Sequence, residues 1–378
     1  MRMKKIGILG GGQLGRMLLQ AAANYPVETY VLENDYSCPS AHLCHHFTRG
    51  DIRDYETVYA FGKGLDALTI EIESVNVEAL ERLEAEGVRV IPKPSALRII
   101  KNKIEQKQFY RHHQVPTADF VVTENKAELE ALVSFLPAAH KIGTGGYDGR
   151  GVELLHTGAD LERGFDAPAV LEKMVAVHQE ISLLVAVGSN GENALYPPAE
   201  MVFDPVLNQL DYQVSPAELP EAILFKAEAI AMKVVRELNS PGLFAVELFV
   251  DKKGEVLVNE TAPRVHNSGH HSIEANFCSQ FDMLWRILLG YPLGCTDPIF
   301  PAVLVNIVGS PGYSGPAVYE GLEDVLRMEN AYVHLYGKTL TKPGRKMGHV
   351  TLCGNDRSEL IYKAHRIREL LRVVTSPA

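Results

Sequence analysis

Up to residue 98, short apolar runs alternate with amphipathic stretches. Lys5–Leu9, Glu28–Leu32, Ala67–Ile72 and Val88–Ile91 read as strands; Gln13–Ala23, Thr57–Gly62 and Val77–Glu86 read as helices; Gly10–Gly12 reads as a turn. Repeated strand–helix units predict a parallel sheet with helices on both faces. Ala96–His112 reads as one basic helix, ended by Pro116. A shorter unit follows, with a strand at Asp119–Val122, a helix at Lys126–Phe135 and a strand running into a glycine loop. From Leu171 the pattern shifts to strands rich in Val and Leu. It contains one long helix at Pro220–Leu238, a hairpin at Phe244–Glu260 and a helix at Ser279–Leu289. Short strands at Ala302–Val308, Tyr332–Tyr336 and His349–Leu352 precede a last helix at Arg357–Leu371. The class is therefore α/β, turning α+β in the C-terminal part.

Composition narrows the function. The 378 residues carry 37 Lys and Arg against 47 Asp and Glu, a net charge of −10. That balance argues against nucleic-acid or anionic-membrane binding and leaves room for a local basic pocket. The five cysteines, Cys38, Cys44, Cys278, Cys295 and Cys353, contain no CxxC pair, so a reducing, cytoplasmic setting is expected. No apolar run reaches the roughly 18 residues of a membrane span, and the N-terminus does not read as a secretory signal.

Five features carry candidate chemistry. Gly10-Gly11-Gly12-Gln13-Leu14-Gly15 matches G-x-G-x-x-G between a strand and a helix, with Glu33 where a ribose-binding acid would stand, so a dehydrogenase is one reading. Residues 143–151 contain five glycines, a backbone suited to wrapping phosphate oxygens, with Lys141 just before them. If Lys253-Gly254 is a two-residue turn, Glu247 faces Glu260 across the hairpin. Like charges placed so are destabilising unless something such as Mg²⁺ holds them, and Asn259 adds a neutral oxygen. Arg264 and His266 lie in a donor-rich stretch through His270 and His271. That stretch suits an oxyanion such as bicarbonate better than a zinc site. Lys338, Lys342, Arg345 and Lys346 cluster around Gly344, which suggests a phosphate-bearing substrate. His42, Cys44, His45 and His46 read as a surface linker.

Four of these stretches, residues 11–17, 145–151, 259–270 and 343–349, together resemble the N5-carboxyaminoimidazole ribonucleotide synthetase family of ATP-grasp enzymes. The resemblance implies a three-domain ATP-grasp fold with an N-terminal parallel-sheet domain at 1–98. The ATP-grasp region would span 99–290, with a lid near 117–173, and 291–378 would complete the core. It implies conversion of ATP, bicarbonate and 5-aminoimidazole ribonucleotide to ADP, phosphate and the N5-carbamate by way of carboxyphosphate. Magnesium, or manganese in its place, would serve, with no flavin, NAD or zinc. A homodimer in the cytoplasm is implied, with no nucleic-acid or membrane partner, its product passing to a separate mutase. Carried over by motif, Lys103 and Lys141 hold ATP phosphates under a loop of Gly146, Tyr147, Asp148, Gly149, Arg150 and Gly151. Glu172, Lys173, Met174 and Val175 form the adenine hinge, and Glu180 bonds the ribose. Glu247 and Glu260 hold the metal beside Asn259. Tyr147, Arg150, Lys338, Arg345 and Lys346 line the ribonucleotide phosphate site, and Gln13, Leu14 and Glu73 face the aminoimidazole. Arg264, His266 and Lys141 act where bicarbonate is activated. Lys103 stands where many members have Arg, and Thr261 where Leu often precedes Ala-Pro-Arg.

Overall fold

The computed structural model describes residues 2–146, 151–204 and 209–376. The first five strands form a wholly parallel sheet in the order His46–Arg49, Val27–Glu33, Lys4–Leu9, Ala67–Ile70, Arg89–Ile91. Its inner strands are continuous apolar runs because both faces are covered. The helix Gln13–Ala22 buries Leu14, Met17, Leu18 and Ala22, the three-to-four spacing of one helical face. The expected surface linker is largely exposed and non-strand from His42 to His45, where His45 meets the Thr29 hydroxyl, and only His46 joins the strand His46–Arg49, where it pairs with Glu28. The alternation of that strand is short and largely exposed, which hid it from the hydrophobic pattern.

The expected single helix Ala96–His112 is two helices, Pro94–Ile100 and Lys103–His112. Asn102 breaks the run by capping the second, its side chain accepting from the Ile104 N–H at 2.9 Å. Lys103 thereby becomes the first residue of a helix, where the helix dipole disfavours a cation. Beyond it lies a four-stranded antiparallel sheet in the order Phe120–Thr123, Ala169–Lys173, Ala138–Ile142, Val152–Leu155. Thr117 pins the entry to this small sheet, its hydroxyl donating to the Val258 carbonyl at 2.7 Å.

The large sheet is antiparallel, in the order Val256–Ala262, Gly242–Asp251, Val177–Val187, Ala199–Asp204, Gln209–Ser215, Ala302–Val308, Lys346–Cys353, Ala331–Leu335, with Asn193–Leu195 beside Val177–Val187. Helix Glu221–Leu238 covers it with Ala227, Ala231, Val234 and Val235. Helix Arg357–Leu370 covers its far end, and a three-stranded sheet of Leu340–Thr341, Gly315–Glu320 and Arg372–Thr375 closes the fold. Among the described residues no helix is long and apolar enough to cross a membrane.

Helix Gln280–Leu289 docks the N-terminal sheet domain onto this core. Its last carbonyls accept from Lys4 and Arg89, and Tyr25 donates to Asp282 at 2.6 Å. Trp285, fully buried and the only tryptophan of the chain, donates from Nε1 to the Leu18 carbonyl at 2.7 Å. Trp285→Phe removes this tie between the two helices and leaves a gap beside it, and is expected to cost about 1–3 kcal/mol. Urea unfolding followed by far-UV circular dichroism reads the loss.

Candidate functional site

The hairpin supplies the centre of the site. It closes through Asp251 N–H to Glu255 carbonyl at 2.9 Å, so the loop is three residues, Lys252–Gly254, with Gly254 at φ 79°, and not the expected two-residue turn. Near the tip Leu248 pairs with Val258 and Phe249 with Leu257. A bulge at Asn259 then adds one residue, and Glu247 comes opposite Glu260. The expected acid pair is present although the turn differs, because the bulge offsets the longer loop.

Four elements converge on these acids. From the helix start, Lys103 Nζ lies 2.5 Å from Glu260 Oε2. From the small sheet, Lys141 Nζ donates to Asn259 Oδ1 at 2.8 Å and Glu172 Oε2 at 3.1 Å. Lys107, one helical turn after Lys103, reaches the same Glu172 oxygen at 3.0 Å and the Thr117 hydroxyl at 2.7 Å. His266 Nε2 stands 3.7 Å from Glu247 Oε1, and its Nδ1 meets Ser268 Oγ at 2.9 Å. The Lys103 charge holds the Glu260 carboxyl well below the usual range. Burial, with Glu260 and Glu180 nearby, pushes Glu247 up. Burial also raises Glu180, which lies on strand Val177–Val187, to about 7. Thr261, the departure from the family pattern, shares a hydrogen bond of 2.7 Å with the Tyr110 hydroxyl. Among the described residues no group of three or more His, Cys, Asp or Glu could hold a metal ion. The acid pair and Asn259 offer oxygens only, a donor set suited to a hard cation shared with phosphate.

Arg264 leaves the same strand end and meets Glu73 of the parallel-sheet domain, Nε to Oε1 at 2.9 Å and Nη2 to Oε2 at 3.2 Å. This ion pair, with one hydrogen bond from Nη2, joins the two domains beside the acids. His270 and His271 point elsewhere: both are buried, bonded to Gln280 and Gln213, and held neutral by burial. Of the hinge residues, Glu172 gives its carboxylate to the two lysines and Lys173 gives its ammonium to the Phe135 and Leu136 carbonyls. The Met174 N–H meets the Pro137 carbonyl, and Val175 is partly exposed.

The basic cluster sits on a turn, with Arg345 donating to the Leu340 carbonyl and Lys338 to that of Lys346, both at 2.7 Å. It faces the parallel-sheet domain. Asp35 is held low by the Ser37 hydroxyl and N–H and, further off, by Arg345 and Arg49. Gly337 leaves room beside Arg16. In the first glycine motif, Glu33 folds back onto the Gly11 and Asn34 N–H groups at 3.0 and 2.6 Å, so it is turned from the place of a ribose ligand. Gln13 and Leu14 open the first helix, Leu14 with its side chain in the core. Gly146 and Gly151 flank the glycine loop, while Tyr147, Asp148, Gly149 and Arg150 lie outside the described residues.

Family models match most of the chain: the ribonucleotide synthetase preATP-grasp domain at residues 3–101, the ATP-grasp domain at 108–281 and the phosphoribosylaminoimidazole carboxylase C-terminal domain at 302–363. The N5-carboxyaminoimidazole ribonucleotide synthase of Aquifex aeolicus is 33% identical over 98% of both chains. The N5-carboxyaminoimidazole ribonucleotide synthetase of Thermotoga maritima superposes at a TM-score of 0.90, with 36% identity over 99% of this chain and 100% of that one. The Aspergillus clavatus synthase, solved with ADP and 5-aminoimidazole ribonucleotide, gives 0.87 and 31% over 97% and 98%. Two longer relatives, each 35% identical, are spanned over only 65% and 36% of their lengths.

Lys107 was not legible as a site residue, although its spacing from Lys103 signals it: like charges four apart on a helix repel unless acids face them. Burial, opposed by Glu172, lowers the Lys107 ammonium from 10.5 to about 8. A folded value below the unfolded one means that charged Lys107 weakens the fold below pH 8, and that the penalty is relieved as pH rises from 8 toward 10.5. Wild type should therefore gain up to about 3 kcal/mol on Lys107→Met across that window. Parallel urea titrations at stepped pH check the sign.

Proposed function

Because the chain belongs to the N5-carboxyaminoimidazole ribonucleotide synthase family, we propose that it is an ATP-grasp ligase that carboxylates the exocyclic amine of 5-aminoimidazole ribonucleotide at the expense of ATP. The observation that carries this reading is the convergence of Lys103, Lys141 and Asn259 on the acid pair, with Arg264 and Glu73 joining the domains alongside. The known binding of ADP and this ribonucleotide by the Aspergillus clavatus protein supports it.

ATP lies between the small sheet and the hairpin. Lys141 exchanges Glu172 and Asn259 for phosphate oxygens, and Lys103 exchanges Glu260, so both ammoniums arrive already desolvated. The hinge meets the adenine, and ionised Glu180 accepts from the ribose hydroxyls. Glu247 and Glu260, with Asn259, would hold magnesium, which supplies charge neutralisation at the β- and γ-phosphates when bound.

Phosphoryl transfer needs alignment and charge neutralisation more than covalent help. A bicarbonate oxygen takes the γ-phosphoryl group as the bond to ADP breaks, giving carboxyphosphate. Arg264 suits the bicarbonate with its planar fork, released from Glu73. Water must be kept from this labile intermediate until the amine arrives. The ribonucleotide is held by Lys338, Arg345 and Lys346 at its phosphate and by Gln13, Leu14 and Glu73 at its ring. Its amine nitrogen bonds to the carboxyl carbon, the carbon–oxygen bond to phosphate breaks, and an oxygen of the departing phosphate takes the amine proton. His266 donates to the reacting carboxyl group. The labile carbamate then passes to a separate mutase, in the cytoplasm, from a homodimer.

ADP release with magnesium and bicarbonate, with and without 5-aminoimidazole ribonucleotide, tests the reading: strong stimulation is expected, and its absence in folded, ATP-hydrolysing protein would overturn the acceptor. Glu260→Gln should lose nearly all turnover at unchanged circular dichroism, and near-normal rates at limiting magnesium would remove the metal role. Since Glu180 must be ionised to accept from ribose, KM for ATP should rise as pH falls through about 7, a slope that Glu180→Gln abolishes.

A further inference from the structure

Glu71 has no part in the chemistry above, yet it sits inside the first glycine motif. It follows strand Ala67–Ile70 directly, at the carboxyl edge of the parallel sheet next to strand Lys4–Leu9. This is where the strand order of the sheet reverses, the usual place for a bound nucleotide phosphate. Here the anion is the protein's own. Glu71 Oε2 accepts from the Gly15 N–H at 2.7 Å, the third residue of the first helix. The glycines fit this carboxylate. A Cβ on Gly12 would come 2.5 Å from Glu71 Oε1, and one on Gly10 would strike Glu71 Cγ. Gly12 has φ −74°, open to any residue, so only the carboxylate demands glycine there.

A helix start leaves its first N–H groups without helical partners. Glu71 takes that of Gly15, and Glu33 takes that of Gly11 one step earlier in the loop. The structure gives the N–H groups of Gln13 and Leu14 no partner among the described residues. Two residues further along the same stretch, Glu73 holds Arg264. Glu71 and Glu73 thus tie the glycine loop and Arg264 to one strand end.

We propose that Glu71 is a positioning residue for ribonucleotide binding: its carboxylate fills the phosphate cradle of the glycine motif, shuts that cradle to nucleotides, and sets the loop so that the Gln13 and Leu14 N–H groups face the aminoimidazole. The inference rests on the reading of the acceptor given above. It converts a motif that reads as a dinucleotide site into a scaffold for a different ligand.

The test is steady-state kinetics of wild type, Glu71→Gln, Gly12→Ala, Glu71→Ala and the Gly12→Ala/Glu71→Ala double variant, each with both KM values and a melting temperature. Glu71→Gln points an amide N–H₂ at backbone donors, and Gly12→Ala pushes the carboxylate from the loop side. Each should raise KM for the ribonucleotide about 10- to 100-fold, the range for losing a hydrogen bond to a charged group, with KM for ATP within about twofold. The double variant should be no worse than Glu71→Ala alone, because the clash disappears with the carboxylate. Formate added to Glu71→Ala should lower KM for the ribonucleotide by refilling the cradle. Should the Glu71 variants fail to fold, Gly12→Ala decides alone. Unchanged KM for the ribonucleotide in Gly12→Ala, or both KM values rising together, overturns the inference. Absence of ribonucleotide stimulation in wild type overturns the reading of the acceptor itself, and the inference with it.

Discussion

Two carboxylates facing each other across a hairpin set the terms for everything around them. Glu247 and Glu260 are held in register by the ladder, so they cannot swing apart without unpairing strands at the edge of the large sheet. Their repulsion is met by lysines from other elements, Lys103 at a helix start and Lys141 on the small sheet, with the His266 imidazole beyond the strand end. The cleft gathers Glu172, Glu180, Glu247 and Glu260 against Lys103, Lys107 and Lys141, and burial pushes Glu180 and Glu247 toward their neutral forms before any ligand enters. Such a site is poised for a divalent cation, which brings a polyphosphate with it, and it gains little from either alone.

The lysines have divided duties. Lys141 is shared between Glu172 and Asn259, while Lys107 is nearly inaccessible and bound to Glu172 and Thr117. When Lys141 turns to a phosphate, Glu172 keeps a counterion, so no buried carboxylate is left bare. The Thr117 hydroxyl that receives Lys107 also pins the small sheet to the hairpin. Charge balance and lid attachment therefore run through one side chain.

The parallel-sheet domain and the order of its elements were legible because alternating apolar runs and glycine turns are local signals. The acid pair was legible because its spacing survives a misjudged turn: a loop one residue longer and a bulge one residue further on cancel. Asn102 was read through, since one capping side chain breaks a helix without altering its apolar periodicity. Lys107 and Glu71 escaped for a shared reason. Their importance lies in partners 65 and 56 residues away, Glu172 and Gly15, and no window along the chain contains both members. Glu33 shows the converse, a residue in the expected place whose carboxylate folds back on its own loop.

The bulge at Asn259 has one more effect. It separates two frames of pairing, one running from the hairpin tip to Leu248 and Val258, the other holding Glu247 and Glu260. Lys252 and Lys253 at the tip are exposed. A peptide tag or dye spliced in at the tip would hang in water, its slack taken up by the open end of the ladder. The hairpin is in this sense a handle insulated from its own blade, and offers an attachment point for watching the small sheet close.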